Sequence, residues 1–140
     1  MITNKLLNRV ARNEGFRAKP YKDSVGKWTV GHGWCLEDRP ITLAESLSIL
    51  NGRLKKLEAT LAARYTFWAK LGNVRRGVLI EMSYQLGVTG LSKFKKMLSA
   101  IRSQKYSLAS QEGLTSKWAI QTPLRAKRLM QILALGKDDI

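Results

Sequence analysis

Residues 13–29 read NEGFRAKPYKDSVGKWT, and the way this stretch folds decides the rest. Ahead of it, Leu6, Leu7 and Val10 recur at helical spacing behind Thr3, a good N-cap, and Gly15 is a natural helix stop. Within and just after it, Tyr21, Val25, Trp28 and Val30 have strand character, and residues 23–26 form a turn signal. Gly31 and Gly33, in the run GHG, make further bends. A helix therefore stops at this point, and the chain folds back as a small antiparallel hairpin or three-stranded sheet.

Working outward, Thr42-Leu43-Ala44-Glu45 is a capping box. Leu47, Leu50, Leu54, Leu57 and Leu61 follow at alternating spacings of 3 and 4, which predicts a long amphipathic helix to about residue 63. The run is under three heptads, so it reads as an intradomain helix, not a coiled coil. From Asn73 the pattern is helical again, with breaks expected at residues 87–90, near Ser103, at Gly113 and at Pro123. A last helix over about 124–135 sets Leu129, Ile132 and Leu133 opposite Arg125, Lys127 and Arg128. The fold class is α+β, mainly α. A sheet lobe spans about 15–41, a connecting helix about 42–63, and a helical lobe about 64–140 that also takes in the first helix, 3–14. Two lobes joined by a helix make a cleft, and clefts bind ligands.

The 140 residues suit a single domain, and 44% hydrophobic content excludes disorder. No run approaches the roughly 18 apolar residues of a transmembrane segment, and the first residues lack the apolar core of a signal peptide. The single cysteine, Cys35, excludes an intrachain disulfide. With 25 basic against 10 acidic residues the net charge is +15. A field of that size attracts polyanions: nucleic acid, anionic lipid or an anionic cell-wall polymer.

Glu14 closes the first helix, Asp23 opens the turn and Thr29 lies on the returning strand. Glycosidic hydrolysis needs two carboxyls in different surroundings, one to give a proton and one to activate water. A helix followed by a hairpin can set this pair across a cleft. Spacing alone also fits an ordinary helix end, turn and strand. His32, Cys35, Glu37 and Asp38 lie close together, but a short hairpin end with one imidazole and one thiol makes a poor metal cage. The lone histidine also leaves Cys35 without the partners of a nucleophile. No cofactor and no metal are expected. Trp118 reads as core, whereas Trp28 and Trp34 flank the sheet and can face either ligand or core.

The stretch resembles the opening of the T4 lysozyme family, phage-type lysozymes that cleave bacterial cell walls. Glu14-Gly15, Tyr21-Lys22-Asp23, Gly26 and Thr29 carry the likeness. A second block comprises Val74-Arg75-Arg76, Met82, Gln85, Gly87, Thr89-Gly90, Trp118, Gln121-Thr122-Pro123 and Arg125-Ala126-Lys127-Arg128. The resemblance implies a lysozyme-like two-lobed fold and an N-acetylmuramidase. Such an enzyme cleaves the β-1,4 bond between N-acetylmuramic acid and N-acetylglucosamine by single displacement with water. It makes Glu14 the proton donor, Asp23 the residue that activates water and Thr29 the residue that holds it. Arg125 matches a buried arginine that approaches and orders the glutamate. Tyr84 and Gln85 take the places of a cleft aromatic and a neighbouring amide, and read equally as saccharide contacts or core packing. The implied partners are peptidoglycan and the anionic cell envelope, with no specific nucleic acid and no transmembrane segment, for a monomer. The implied setting is phage endolysis: host cytoplasm until the membrane is permeabilised, then wall or periplasm. A lytic transglycosylase acting on the same bond is the nearest alternative, although it would not need the Asp23 and Thr29 water site. A basic wall- or nucleic-acid-binding module has only the charge behind it.

Three departures from the family stand out. Trp34 occupies the position of a family histidine, while His32 sits between the glycines. The chain is shortened after Pro40, which strips down the sheet lobe. Glu112 stands where the enzyme that names the family has an amide.

Overall fold

The computed structural model describes residues 1–139. The fold is α+β and mainly α, and the chain divides into two compact units, residues 1–49 and 50–140.

In the first unit, α1 (Asn4–Glu14) starts where Thr3 Oγ1 accepts the Leu6 N–H at 3.1 Å. It ends where Gly15, at φ 73°, donates to the Ala11 carbonyl at 2.9 Å. Leu7 and Val10 stay about half exposed. Three antiparallel strands follow in the order β1 (Arg17–Lys22), β2 (Trp28–Gly31) and β3 (Trp34–Cys35). Tyr21 pairs with Thr29, and Thr29 with Cys35. The β1–β2 register shifts between Arg17 and Tyr21, around Pro20, which has no N–H for the ladder. Val25 lies in the turn, not on a strand. Asp23 Oδ1 accepts the N–H groups of Val25 and Lys27, each at 2.9 Å, and these local bonds override the β preference of valine. Gly31 and Gly33 take φ of 68° and 66° around the tight β2–β3 turn, where glycine is at ease.

The capping box forms as read. Glu45 N–H donates to Thr42 Oγ1 at 3.1 Å, and Thr42 N–H and hydroxyl both donate to Glu45 Oε1, at 3.0 and 2.7 Å. These bonds open α2 (Leu43–Arg64), within which the boundary between the units falls.

The second unit contains α3 (Trp68–Leu71), α4 (Asn73–Ser92), α5 (Lys95–Arg102), α6 (Tyr106–Leu114), α7 (Lys117–Gln121) and α8 (Pro123–Leu135). Its core includes Leu61, Leu79, Met82, Met97, Ile101, Met130 and Leu133. The break in α4 falls at Gly87, at φ 78° and ψ 161°. Gly113 does not break its helix; α6 runs through it to Leu114. A Cβ there would strike the Met130 side chain and lie 3.3 Å from Met97 Sδ, so this glycine serves close packing. The motif arginines Arg75 and Arg76 tie elements together. Arg75 donates to the carbonyls of Leu133 and Ala134 at 2.7 and 3.1 Å and lies 3.6 Å over the Tyr106 ring. Arg76 donates to the carbonyls of Trp68 and Ala69 at 2.8 and 2.9 Å.

Candidate active site

Within the first unit, Glu14 is the last residue of α1, and its side chain is exposed. Its carboxyl lies against Gly33. A Cβ built on that glycine would collide with the carboxylate and come within 3.0 Å of Cδ. The end of the first helix and the β2–β3 turn are thereby brought together.

Asp23 is half-buried, and its two carboxylate oxygens differ. Oδ1 is fixed by the two backbone N–H groups of the turn. Among the described residues Oδ2 takes no hydrogen bond, so the carboxylate is held by one oxygen and free to accept a proton on the other. The backbone reinforces the position: Asp23 N–H donates to the Lys27 carbonyl at 2.9 Å, and Gly26 N–H to the Asp23 carbonyl at 3.0 Å. Thr29 is buried, and its hydroxyl donates to the Lys27 carbonyl at 3.1 Å. Its proton is therefore engaged, and its oxygen keeps lone pairs to accept.

The cluster beyond Thr29 is occupied by structure. The His32 ring lies 5.4 Å from that of Phe16. Cys35 is buried. Glu37 Oε1 accepts the Trp28 N–H at 3.4 Å. Asp38 binds Lys27 Nζ at 2.7 and 2.9 Å. That hydrogen bond holds the Asp38 carboxyl below its usual range and the Lys27 ammonium above its own. Trp34 turns its indole N–H to the Arg39 carbonyl at 2.6 Å. Nothing in the sequence marks Lys27 or Arg39 for this site, and Gly33 shows there only as a bend in GHG, a backbone position needing positive φ or close approach.

Within the second unit, Arg125 is exposed and not buried, because it pairs at the surface with Glu81. Its Nε and Nη2 lie 3.3 and 3.2 Å from Glu81 Oε1. Arg125 and Glu81 share with Tyr84 a hollow of about 660 Å³ that Leu50, Leu54 and Glu58 also line. Tyr84 is half exposed. The Gln85 amide oxygen accepts the indole N–H of buried Trp118 at 2.9 Å, so it serves core packing. Glu112 lines another hollow with Lys93, Lys95, Lys96 and Lys117.

The phage lysozyme family model matches residues 11–131. Two proteins of Dictyostelium discoideum, probable T4-type lysozymes 1 and 2, are 26% and 25% identical to this chain. The alignments cover 89% and 96% of this chain and 90% and 96% of theirs. The pre-baseplate central spike protein Gp5 of Enterobacteria phage T4 is 26% identical over 89% of this chain and 27% of its own length.

Proposed function

This chain belongs to the phage lysozyme family, and from that premise we propose the bond it cleaves, the mechanism and the setting. It is a lysozyme, a glycoside hydrolase acting on peptidoglycan. The bond is the β-1,4 link from N-acetylmuramic acid to N-acetylglucosamine. Glu14 gives its proton to the glycosidic oxygen as that bond breaks. A water attacks the anomeric carbon from the opposite face and passes its proton to Asp23 Oδ2, while Thr29 accepts a hydrogen bond from the same water.

The observation that carries this reading is the difference between the two carboxyls. Glu14 is exposed and takes no fixed polar partner among the described residues. Asp23 is anchored through one oxygen with the other open. That division suits an acid that must reach a leaving group and a base that must hold a water still. The setting is host lysis: the enzyme accumulates in the host cytoplasm and meets the wall once the membrane is permeabilised.

Glu14→Gln tests the assignment. It preserves shape and removes the transferable proton, so wall lysis should fall by about two to four orders of magnitude while the folded state persists. Near-normal lysis by the purified variant would end the assignment.

A further inference from the structure

Thr29 and Cys35 are the buried residues of the 1–49 unit. Packing alone gives so thin a unit little rigidity, and its side chains need polar bonds to hold a geometry. The turn at residues 36–39 supplies them to both candidate catalytic carboxyls. Toward Glu14, Arg39 Nη2 donates to the Gly33 carbonyl at 3.1 Å, and the Trp34 indole N–H donates back to the Arg39 carbonyl at 2.6 Å. Gly33 is the residue against which the Glu14 carboxyl rests. Toward Asp23, the Asp38 carboxylate grips Lys27 Nζ through both oxygens. Lys27 is the residue whose N–H donates to Asp23 Oδ1 and whose carbonyl accepts from both Asp23 N–H and Thr29 Oγ1. The turn itself is closed by Arg39 N–H donating to the Cys35 carbonyl at 3.0 Å.

We propose that the turn at residues 36–39 is a brace that positions both carboxyls, Arg39 through Gly33 for Glu14 and Asp38 through Lys27 for Asp23. It rests on the catalytic roles proposed above. Arg39 and Asp38 are positioning residues, each acting through one intervening residue. The sequence leaves little else for the task here: the α2 capping box begins at Thr42, three residues after Arg39. The brace also gives Trp34 a role, as the residue that fastens Arg39.

Full-length variants test it on soluble peptidoglycan fragments, with kcat, KM and thermal midpoint measured together. Arg39→Met and Asp38→Ala should each lower kcat about tenfold, because a misplacement on the order of 1 Å suffices. KM should stay within about twofold. Arg39→Lys and Asp38→Asn, which keep a donor for Gly33 and an acceptor for Lys27, should recover most of the loss. Trp34→Phe removes the indole N–H while keeping an aromatic ring, and tests the same latch should Arg39→Met fold poorly. Unchanged kcat in Trp34→Phe and Asp38→Ala would overturn the brace. So would losses that follow the thermal midpoint, or that the conservative variants share in full. Glu14→Gln in the same assay separates the failures. If it stays active, the catalytic reading and the brace fall together; if it is inactive while the brace variants match wild type, the brace alone falls.

Discussion

At Asp23 the two oxygens of one carboxylate have different work. Oδ1 closes the turn by accepting from Val25 and Lys27, and Oδ2 is available to a water. This separates stability from activity in a way a substitution can expose. Asp23→Asn keeps a carbonyl oxygen for both N–H groups, so the turn and the thermal midpoint should persist. It removes the base, so kcat should fall by about two to four orders of magnitude. Purified Asp23→Asn with near wild-type kcat would remove Asp23 from the mechanism. Glu14 and Asp23 stand out in the sequence through the family resemblance; the helix stop, turn signal and strand around them fit an ordinary structural role equally well. Gly33, Lys27 and Arg39 do not stand out, because their roles depend on the β2–β3 turn and the residues 36–39 turn coming back to Glu14 and Asp23. Arg125 was legible as a position, but Glu81, its ion-pair partner 44 residues away, was not.

Among the elements, those whose determinants are local were read correctly. Thr3 and Leu6, Gly15 and Ala11, and Thr42 and Glu45 all bond within one helical turn, so spacing alone reveals them. Val25 and Gly113 were misread because their intrinsic preferences lost to particular partners, the Asp23 carboxylate in one case and the Met130 side chain in the other. The short helix α3 escaped notice because its 4 residues are too few to show a period. The capping box of α2 carries a pH prediction. Hydrogen bonds from the Thr42 hydroxyl and backbone hold the Glu45 carboxyl below its ordinary value. A depressed folded-state value favours the folded form above the unfolded value near 4.3, and that contribution disappears as pH falls through the lower folded value. Thermal midpoints of wild type and Glu45→Gln should therefore converge in part as pH is lowered from about 6 to about 2.5. A constant gap between them over that range would show that the ionised carboxyl adds nothing to the cap.

For the whole molecule, charge is the dominant property. A net +15 is carried by bases spread along the helices, and such a surface attracts an anionic wall before any specific contact forms. Salt screens exposed charges over about 8–10 Å at 0.1–0.15 M. Raising ionic strength from about 0.01 M to about 0.15 M should therefore slow lysis of whole walls, while cleavage of a short neutral oligosaccharide changes much less. Equal sensitivity of the two substrates would remove the capture role. The central claim, hydrolysis of the muramyl bond by water, is tested most directly by mass spectrometry of exhaustively digested peptidoglycan. Hydrolysis with Glu14 as acid and Asp23 as base leaves fragments ending in reducing N-acetylmuramic acid. Fragments ending in 1,6-anhydro-muramic acid, reducing N-acetylglucosamine ends, or stem peptides freed from intact glycan would contradict it.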